Sequence, residues 1–196
     1  MSAPEVLSDA ELSERAIAGD NQAFGHLVSR HKGPVFGFIR RYIGDREEAH
    51  DLVQQVFVAA WLGLGRYNPE RPIGPWLITI ALNKCRDHSR KAKVRRFFQI
   101  AWPVNALEVA DTLPIADMLM IGDEELLLLE RAITRLTRSL KEPLLLTVFE
   151  GLSHKDAGAQ LGLSAKAIEG RVRRARQELE RQINEWTDNL LEKDEK

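Results

Sequence analysis

Cysteine is almost missing from this 196-residue chain, with Cys85 its one thiol. A single thiol excludes an internal disulfide framework and any zinc site built from several cysteines, and it fits a reducing compartment. Long apolar runs are missing too. The longest mostly apolar stretches, Ile78 to Leu82 and Leu126 to Leu129, fall far short of the roughly 20 residues that cross a bilayer, so no membrane insertion is expected. The stretch MSAPEVLSDAELSERA is acidic and has no apolar centre, so it is not expected to be a secretory signal, and the expected location is cytoplasmic. Glycine (13) and proline (8) are too few and too scattered for a fibrous protein. Net charge is nearly absent: 28 Lys plus Arg stand against 29 Asp plus Glu, a formal −1. As a sum, that balance counts against a nucleic-acid binder; the distribution along the chain decides whether it does.

Apolar residues make up 44% of the chain, enough to bury a core. Their spacing is helical almost throughout, and no stretch alternates long enough for a sheet. Ser8 reads as an N-cap with Glu11 at the capping-box position; the helix it opens carries Leu12, Ala16 and Ile17 on one face and stops at Gly19. A second helix, Asn21 to Ile43, carries Phe24, Leu27, Val28, Val35, Phe36, Ile39 and Ile43, with Gly33-Pro34 as a candidate kink. A third begins after Asp45 and buries Leu52, Val53, Val56, Phe57, Ala60, Trp61 and Leu64. Val58, Ala59 and Leu62 lie off that stripe, covered either by a partner protein or by another helix of the same domain. RYNPERPIG is a loop by composition, and Pro75 suits the first turn of a fourth helix through Trp76, Leu77, Ile80, Ala81 and Cys85.

Between Phe97 and Asp123 there is no lysine or arginine, while Glu108, Asp111, Asp117 and Asp123 are present and Pro103 and Pro114 interrupt. So long an irregular stretch argues for an acidic linker between two domains. Beyond it, Glu124 to Leu140, Pro143 to Glu150, Ser153 to Leu161 and Ala165 to about Leu191 read as four helices. The expected fold is all-α: two small helical domains, residues 1–96 and 124–196, joined by the linker 97–123.

The most specific stretch is GLSHKDAGAQLGLSAKAIEGRVRRARQELERQI. Ser153 caps a short helix, Gly162 is free to take positive φ in a three-residue turn, and Ser164 caps the next helix. That is the helix-turn-helix pattern, whose second helix enters the DNA major groove. Ile168, Val172, Ala175 and Leu179 share its core face. The opposite face presents Lys166, Glu169, Gly170, Arg171, Arg173, Arg174, Arg176 and Gln177. Clustered cations repel one another on an isolated helix, and phosphates relieve that repulsion. A plain solvated helix, with pairs such as Glu178 and Arg174, is the alternative.

A second basic cluster, Lys84, Arg86, Arg90, Lys91, Lys93, Arg95 and Arg96, ends the fourth helix against only Asp87. Tyr67, Trp76 and Asn83 precede or enter it. Aromatic and amide side chains beside cations suit single-stranded nucleic acid. By residue type alone, Trp76 is more often a core residue, and Cys85 a small buried hydrophobe. His26, His31, His50, His88 and His154 form no ligand pattern with carboxylates, and there is no phosphate loop or nucleophile elbow. No catalytic group, cofactor or metal is expected.

With these motifs in order, the chain resembles the extracytoplasmic-function sigma factors, the two-domain promoter-specificity subunits of bacterial RNA polymerase. AIAGDNQAFGHLVSRH is similar to their opening helix pair, DREEAHDLVQQVFVAAWLGLGRYNPERPIGPWLITIALNKCRDHSRK to their region 2, and Gly151 to Leu179 to their region 4. The resemblance implies that Asp51, Leu52, Gln54, Gln55, Phe57 and Val58 bind the clamp helices of core polymerase. It implies recognition and melting of the −10 element by Tyr67, Asn68, Arg71, Trp76, Asn83, Arg86, Asp87 and Arg90, with one base flipped out beside the loop. It implies −35 readout by Ser164, Lys166, Glu169, Gly170, Arg171, Arg173, Arg174 and Arg176, contact with the polymerase flap, and control by an anti-sigma factor. Gly158, where the family often has isoleucine, predicts a soft first helix in the motif. The alternative function is a stand-alone helix-turn-helix regulator with a sensor domain in front. The aromatic-plus-basic fourth helix and the absence of a ligand-pocket motif argue against it.

Overall fold

The computed structural model describes residues 7–101 and 124–194, with side chains for 7–95 and 128–186. Among the described residues every regular element is helical. The chain divides into two compact units, residues 1–40 with 46–101 and residues 41–45 with 102–196.

In the first unit, α1 (Asp9–Ile17) opens on the capping box expected of it: Ser8 accepts the Glu11 N–H and Glu11 reaches back to the Ser8 N–H at 2.7 Å. Those bonds from Ser8 hold the Glu11 carboxyl below its ordinary pKa. Leu12 and Ala16 are buried, but Ile17, assigned to the core face, is exposed, and Ser13 is fully buried in its place. Asp20 caps α2 (Asn21–Ile43) by accepting the N–H groups of Gln22 at 2.9 Å and Ala23 at 3.1 Å. Gly33-Pro34 does not interrupt α2. Pro34 is solvent-exposed, so water can satisfy the carbonyl of Arg30, the acceptor its missing N–H would have used. Phe38, absent from the expected stripe, is buried completely with Leu27, Val35 and Ile39.

Helix α3 (Arg46–Gly63) passes through a 3₁₀ turn, Leu64–Arg66, into the loop before α4 (Ile73–Ala101). Leu52, Val56, Phe57 and Ala60 from the first, Leu64 from the turn, and Leu77, Ile78, Ala81, Leu82 and Cys85 from the second close the core. Each large side chain there contributes about 1.5–3 kcal/mol by burial. Trp61, expected inside, lies 40% exposed at the edge, its ring 4.9 Å from that of Phe24. Helix α4 runs five residues past Arg96, into the stretch assigned to the linker. Phe97 to Ala101 contains no helix breaker, and the first one is Pro103. The rest of that linker, 102–123, lies outside the described residues.

In the second unit, the single helix expected over 124–140 is two: α5 (Glu124–Arg135) and α6 (Arg138–Leu144). Thr137 is extended (φ −59°, ψ 149°) and breaks the run, and the Leu136 N–H closes the last turn of α5 onto Ile133. Pro143, assigned to the start of a helix, therefore sits inside α6. A π turn, Leu145–Phe149, follows, in which the Glu150 N–H reaches the Leu145 carbonyl at 3.1 Å. Helices α7 (His154–Leu161) and α8 (Ala165–Asp194) match the sequence-based boundaries at their shared turn. Ala132, Ile133, Leu144–146, Ala157, Ile168, Val172, Ala175 and Leu179 form the core, with α5, α6 and α7 each packed on α8.

Candidate polymerase and promoter interfaces

The turn between α7 and α8 is built as its sequence predicts. Ser153 accepts the Asp156 N–H at 3.1 Å and Ser164 accepts the Ala167 N–H at 3.2 Å. Gly162 takes φ +69°, and the N–H of Leu163 returns to the Gly158 carbonyl at 2.9 Å, a left-handed helix cap. The expectation that Gly158 softens α7 is corrected. A β-carbon there would stand 2.5 Å from the Leu163 carbonyl oxygen, so the missing side chain is what lets the turn close.

Burying Ile168, Val172, Ala175 and Leu179 turns Lys166, Glu169, Arg173, Arg174 and Arg176 to solvent. Ser164 is exposed at the helix start, and Gly170 and Arg171 are half-buried beside the row. The pairing of Glu178 with Arg174 does not occur. Glu178 instead binds Arg181 at 2.6 Å and accepts from Gln182 at 3.0 Å, and Arg181 holds its carboxyl below the ordinary value. Arg174 bonds the Gly170 carbonyl at 3.3 Å. Among the described residues, Lys166, Arg171, Arg173 and Arg176 have no ion pair. This row of uncompensated cations is the electrostatic signature of a phosphate-binding face.

On α4, positions 76, 83, 87 and 90 fall on one helical face, with 86 at its flank. Asn83, Asp87 and Arg90 are exposed, Trp76 and Arg86 half-buried. Arg90 pairs with Asp87 at 3.0 Å on the open surface, an arrangement that polar ligands can displace at little cost. In the preceding loop Asn68 Oδ1 accepts the Glu70 N–H at 3.0 Å and its carbonyl accepts the Arg71 N–H at 3.1 Å. That turn leaves the Asn68 and Arg71 side chains exposed. Tyr67, expected among the DNA-contacting residues, is 8% exposed. Its hydroxyl donates to the Arg71 carbonyl, and its ring lies 4.8 Å from that of Trp76. Its place is beneath the loop, shaping it. Burial raises the phenol pKa, Ser13 opposes that by hydrogen bonding, and the Asp9 charge adds to it.

A groove of about 390 Å³ opens between α3 and α4, lined by Asp51, Gln54, Gln55, Val58, Ala59, Leu62 and Lys84. Leu62 is 76% and Val58 59% exposed. Among the described residues no other helix of the unit covers Val58 and Leu62, while Ala59 between them is half-buried. Leu52 and Phe57, expected on the partner-binding face, are buried at 4% and 8%, because the stripe that packs α3 on the core takes every third or fourth residue. Asp51, Gln54, Gln55 and Val58 remain as the outward face. Lys84, read in the sequence as part of the basic cluster that ends α4, lies in this groove.

A helix-turn-helix with an uncompensated basic row in one unit, and a second basic helix in the other, define an all-α DNA-binding transcription factor. The family model described as Sigma-70 region 2 matches residues 27–95, and that described as Sigma-70, region 4, matches 126–179. RNA polymerase sigma factor NccH of Alcaligenes xylosoxydans xylosoxydans is 37% identical over 91% of this chain and 95% of its own. Sigma factor CnrH of Cupriavidus metallidurans is 37% identical over 88% and 92%. The solved structure of CnrH with the cytosolic domain of CnrY aligns with TM-score 0.63 at 30% identity, covering 90% of this chain and 97% of that one. That of sigma factor RpoE with the anti-sigma factor NepR from Bartonella quintana aligns with TM-score 0.61 at 25% identity, covering 82% and 96%. The chain belongs to the extracytoplasmic-function sigma factors of the sigma-70 family. It directs core RNA polymerase to promoters and initiates transcription there. The region 2 match on the front unit removes the reading of that unit as a sensor domain. Among the described residues no helix is long and apolar enough to cross a membrane.

Proposed function

We propose that the outward face of α3 (Asp51, Gln54, Gln55, Val58 and Leu62, with Lys84 from α4) docks on the clamp helices of core polymerase. Asn68, Arg71, Trp76, Asn83, Arg86, Asp87 and Arg90 then receive the −10 strand, held in shape by Tyr67. Ser164, Lys166, Glu169, Gly170, Arg171, Arg173, Arg174 and Arg176 read the −35 duplex in the major groove, and the same unit touches the flap. The domains taking part are residues 1–96 and 124–196, and the acidic segment between them threads toward the polymerase channel. The protein works in the cytoplasm and carries out no chemistry of its own; the energy for opening DNA comes from binding.

The observation that carries this reading is the row of cations on α8, left without carboxylate partners on the side away from the core. Such a row gives affinity by counterion release, and arginine adds bidentate contacts to guanine. The exposed apolar groove supports a further partner, an anti-sigma factor that competes with polymerase. CnrH was solved with the cytosolic domain of CnrY, and RpoE with NepR. Run-off transcription with core enzyme on a genomic promoter library tests the reading, and failure to bind core or to start at any promoter would sink it. An affinity column carrying this chain is expected to retain one host protein besides polymerase; retention of polymerase alone removes the anti-sigma proposal.

A further inference from the structure

Helix α8 carries a carboxylate inside its row of cations. Positions 166, 169, 173 and 176 follow one line along the helix, so Glu169 stands between Lys166 and Arg173. Three- and four-residue spacings are those at which opposite charges pair on a helix. Here neither pair forms. Among the described residues Glu169 is exposed and has no ion pair, and Lys166 and Arg173 have none either. A free carboxylate thus lies on the face that meets DNA, where phosphates repel it unless a hydrogen-bond donor meets it.

The next residue, Gly170, is an independent observation. A glycine inside a helix weakens it relative to alanine, and the two usual structural reasons for one are missing here. Its φ is not in the left-handed region. Among the described residues, a β-carbon on it would meet nothing within 4 Å beyond the helix's own backbone. Gly158, by contrast, is kept small by the Leu163 carbonyl. Packing inside the unit does not call for a glycine at 170; a duplex pressed against the helix does.

Both residues lie in the second turn of α8, and residues near the start of a recognition helix contact base edges. In the major groove guanine shows acceptors, thymine an acceptor and a methyl group, and adenine a donor beside an acceptor. Cytosine alone shows a donor with no acceptor next to it. We propose that Glu169 is a specificity-determining residue that fixes one position of the −35 element as cytosine. Its carboxylate accepts from the exocyclic amino group of the base, and Gly170 leaves room for this side chain, shorter than arginine, to reach it. The inference rests on the reading of α8 as the −35 reader.

The test uses holoenzyme reconstituted with core polymerase, at one fixed salt concentration. Duplexes randomised in the −35 element of a promoter found by run-off transcription are selected for binding and sequenced. Wild type should return one position as cytosine. Glu169→Ala should relax that position and no other, and Glu169→Gln should turn it to adenine, whose edge pairs with an amide. Replacing the cytosine by 2-pyrimidinone removes only the amino group. In direct titration that change should cost wild type roughly 5- to 100-fold, the usual range for a wrong base, and cost Glu169→Ala much less. Gly170→Ala should raise the thermal midpoint of the free chain and weaken binding to the selected duplex several-fold. Affinity for core polymerase should stay at the wild-type level in each variant.

An unchanged base profile in Glu169→Ala, equal penalties for the missing amino group in wild type and Glu169→Ala, or a relaxed position that wild type fills with another base would overturn the inference. Wild-type duplex binding by Gly170→Ala overturns the clearance assigned to that residue. If wild-type selection fixes no −35 position, the reading of α8 fails and takes the inference with it. If it fixes several and none responds to residue 169, the inference alone fails.

Discussion

A β-carbon on Gly158 would stand 2.5 Å from the carbonyl oxygen of Leu163. That separation reverses what helix propensity alone says about the residue. Replacing glycine by alanine inside a helix gains about 1 kcal/mol, whereas forcing a methyl group against backbone costs about 1–3 kcal/mol. Gly158→Ala is therefore expected to lower the thermal midpoint of the chain and to weaken −35 duplex binding. A raised midpoint would show that the turn yields instead.

Leu62 is 76% exposed on the rim of the α3–α4 groove. Leu62→Asp should leave the melting curve unchanged and reduce affinity for core polymerase by about tenfold or more, as apolar interface anchors do. Titration of labelled protein with core enzyme measures it, and an unchanged dissociation constant would remove the groove from the polymerase interface.

Arg173 and Arg174 are exposed on the face of α8 away from the core. Arg173→Ala with Arg174→Ala should weaken −35 binding and reduce the slope of log K against log salt by about 1 for each phosphate that is no longer neutralised. Filter binding between low and moderate salt reads the slope. An unaltered slope would assign those phosphates to other cations.

Asn83 is exposed on the same face of α4 as Trp76 and Asp87 and has no part in the core. Asn83→Ala should spare duplex binding and impair opening, read as reduced permanganate reactivity of thymines in the melted region. Full reactivity in the variant would refute the assignment.

Burial raises the Asp9 carboxyl pKa, but the bonds from Arg30 and His31 outweigh it and hold the group below its ordinary 3.8. A depressed carboxylate stabilises the fold fully above its unfolded value and loses that contribution as pH falls through the folded one. Asp9→Asn should be less stable than wild type at neutral pH by no more than about 1 kcal/mol, since the pair is largely solvated. The two denaturation curves should converge as the pH is taken below about 4. A gap that persists in acid would trace the effect to packing.

Much of the fold and of the candidate site is legible in the sequence. The capping residues Ser8, Ser153 and Ser164, the left-handed Gly162, the Asn21–Ile43 bounds of α2 and the buried face of α8 all follow from interactions within four or five residues. The errors lie where a local preference meets a non-local surface. Pro34 reads locally as a break, yet its exposure makes the lost bond tolerable. Leu52, Phe57 and Tyr67 stand in segments that resemble partner-binding ones, yet they pack inward. Glu178 is a different case, a choice between two local partners, in which Arg181 three residues on takes the carboxylate instead of Arg174 four residues back.

By itself, then, the sequence determined the helical class, the helix-turn-helix and the segregation of charge that its net −1 conceals, since periodicity, capping and charge are written into neighbouring residues. Only the tertiary structure decided which side chains of α3 and of the 67–71 loop face outward, that Gly158 is a point of close approach, and that Ser13 is completely buried. Those outcomes depend on which surfaces meet in space, and residues far apart in sequence supply the second surface.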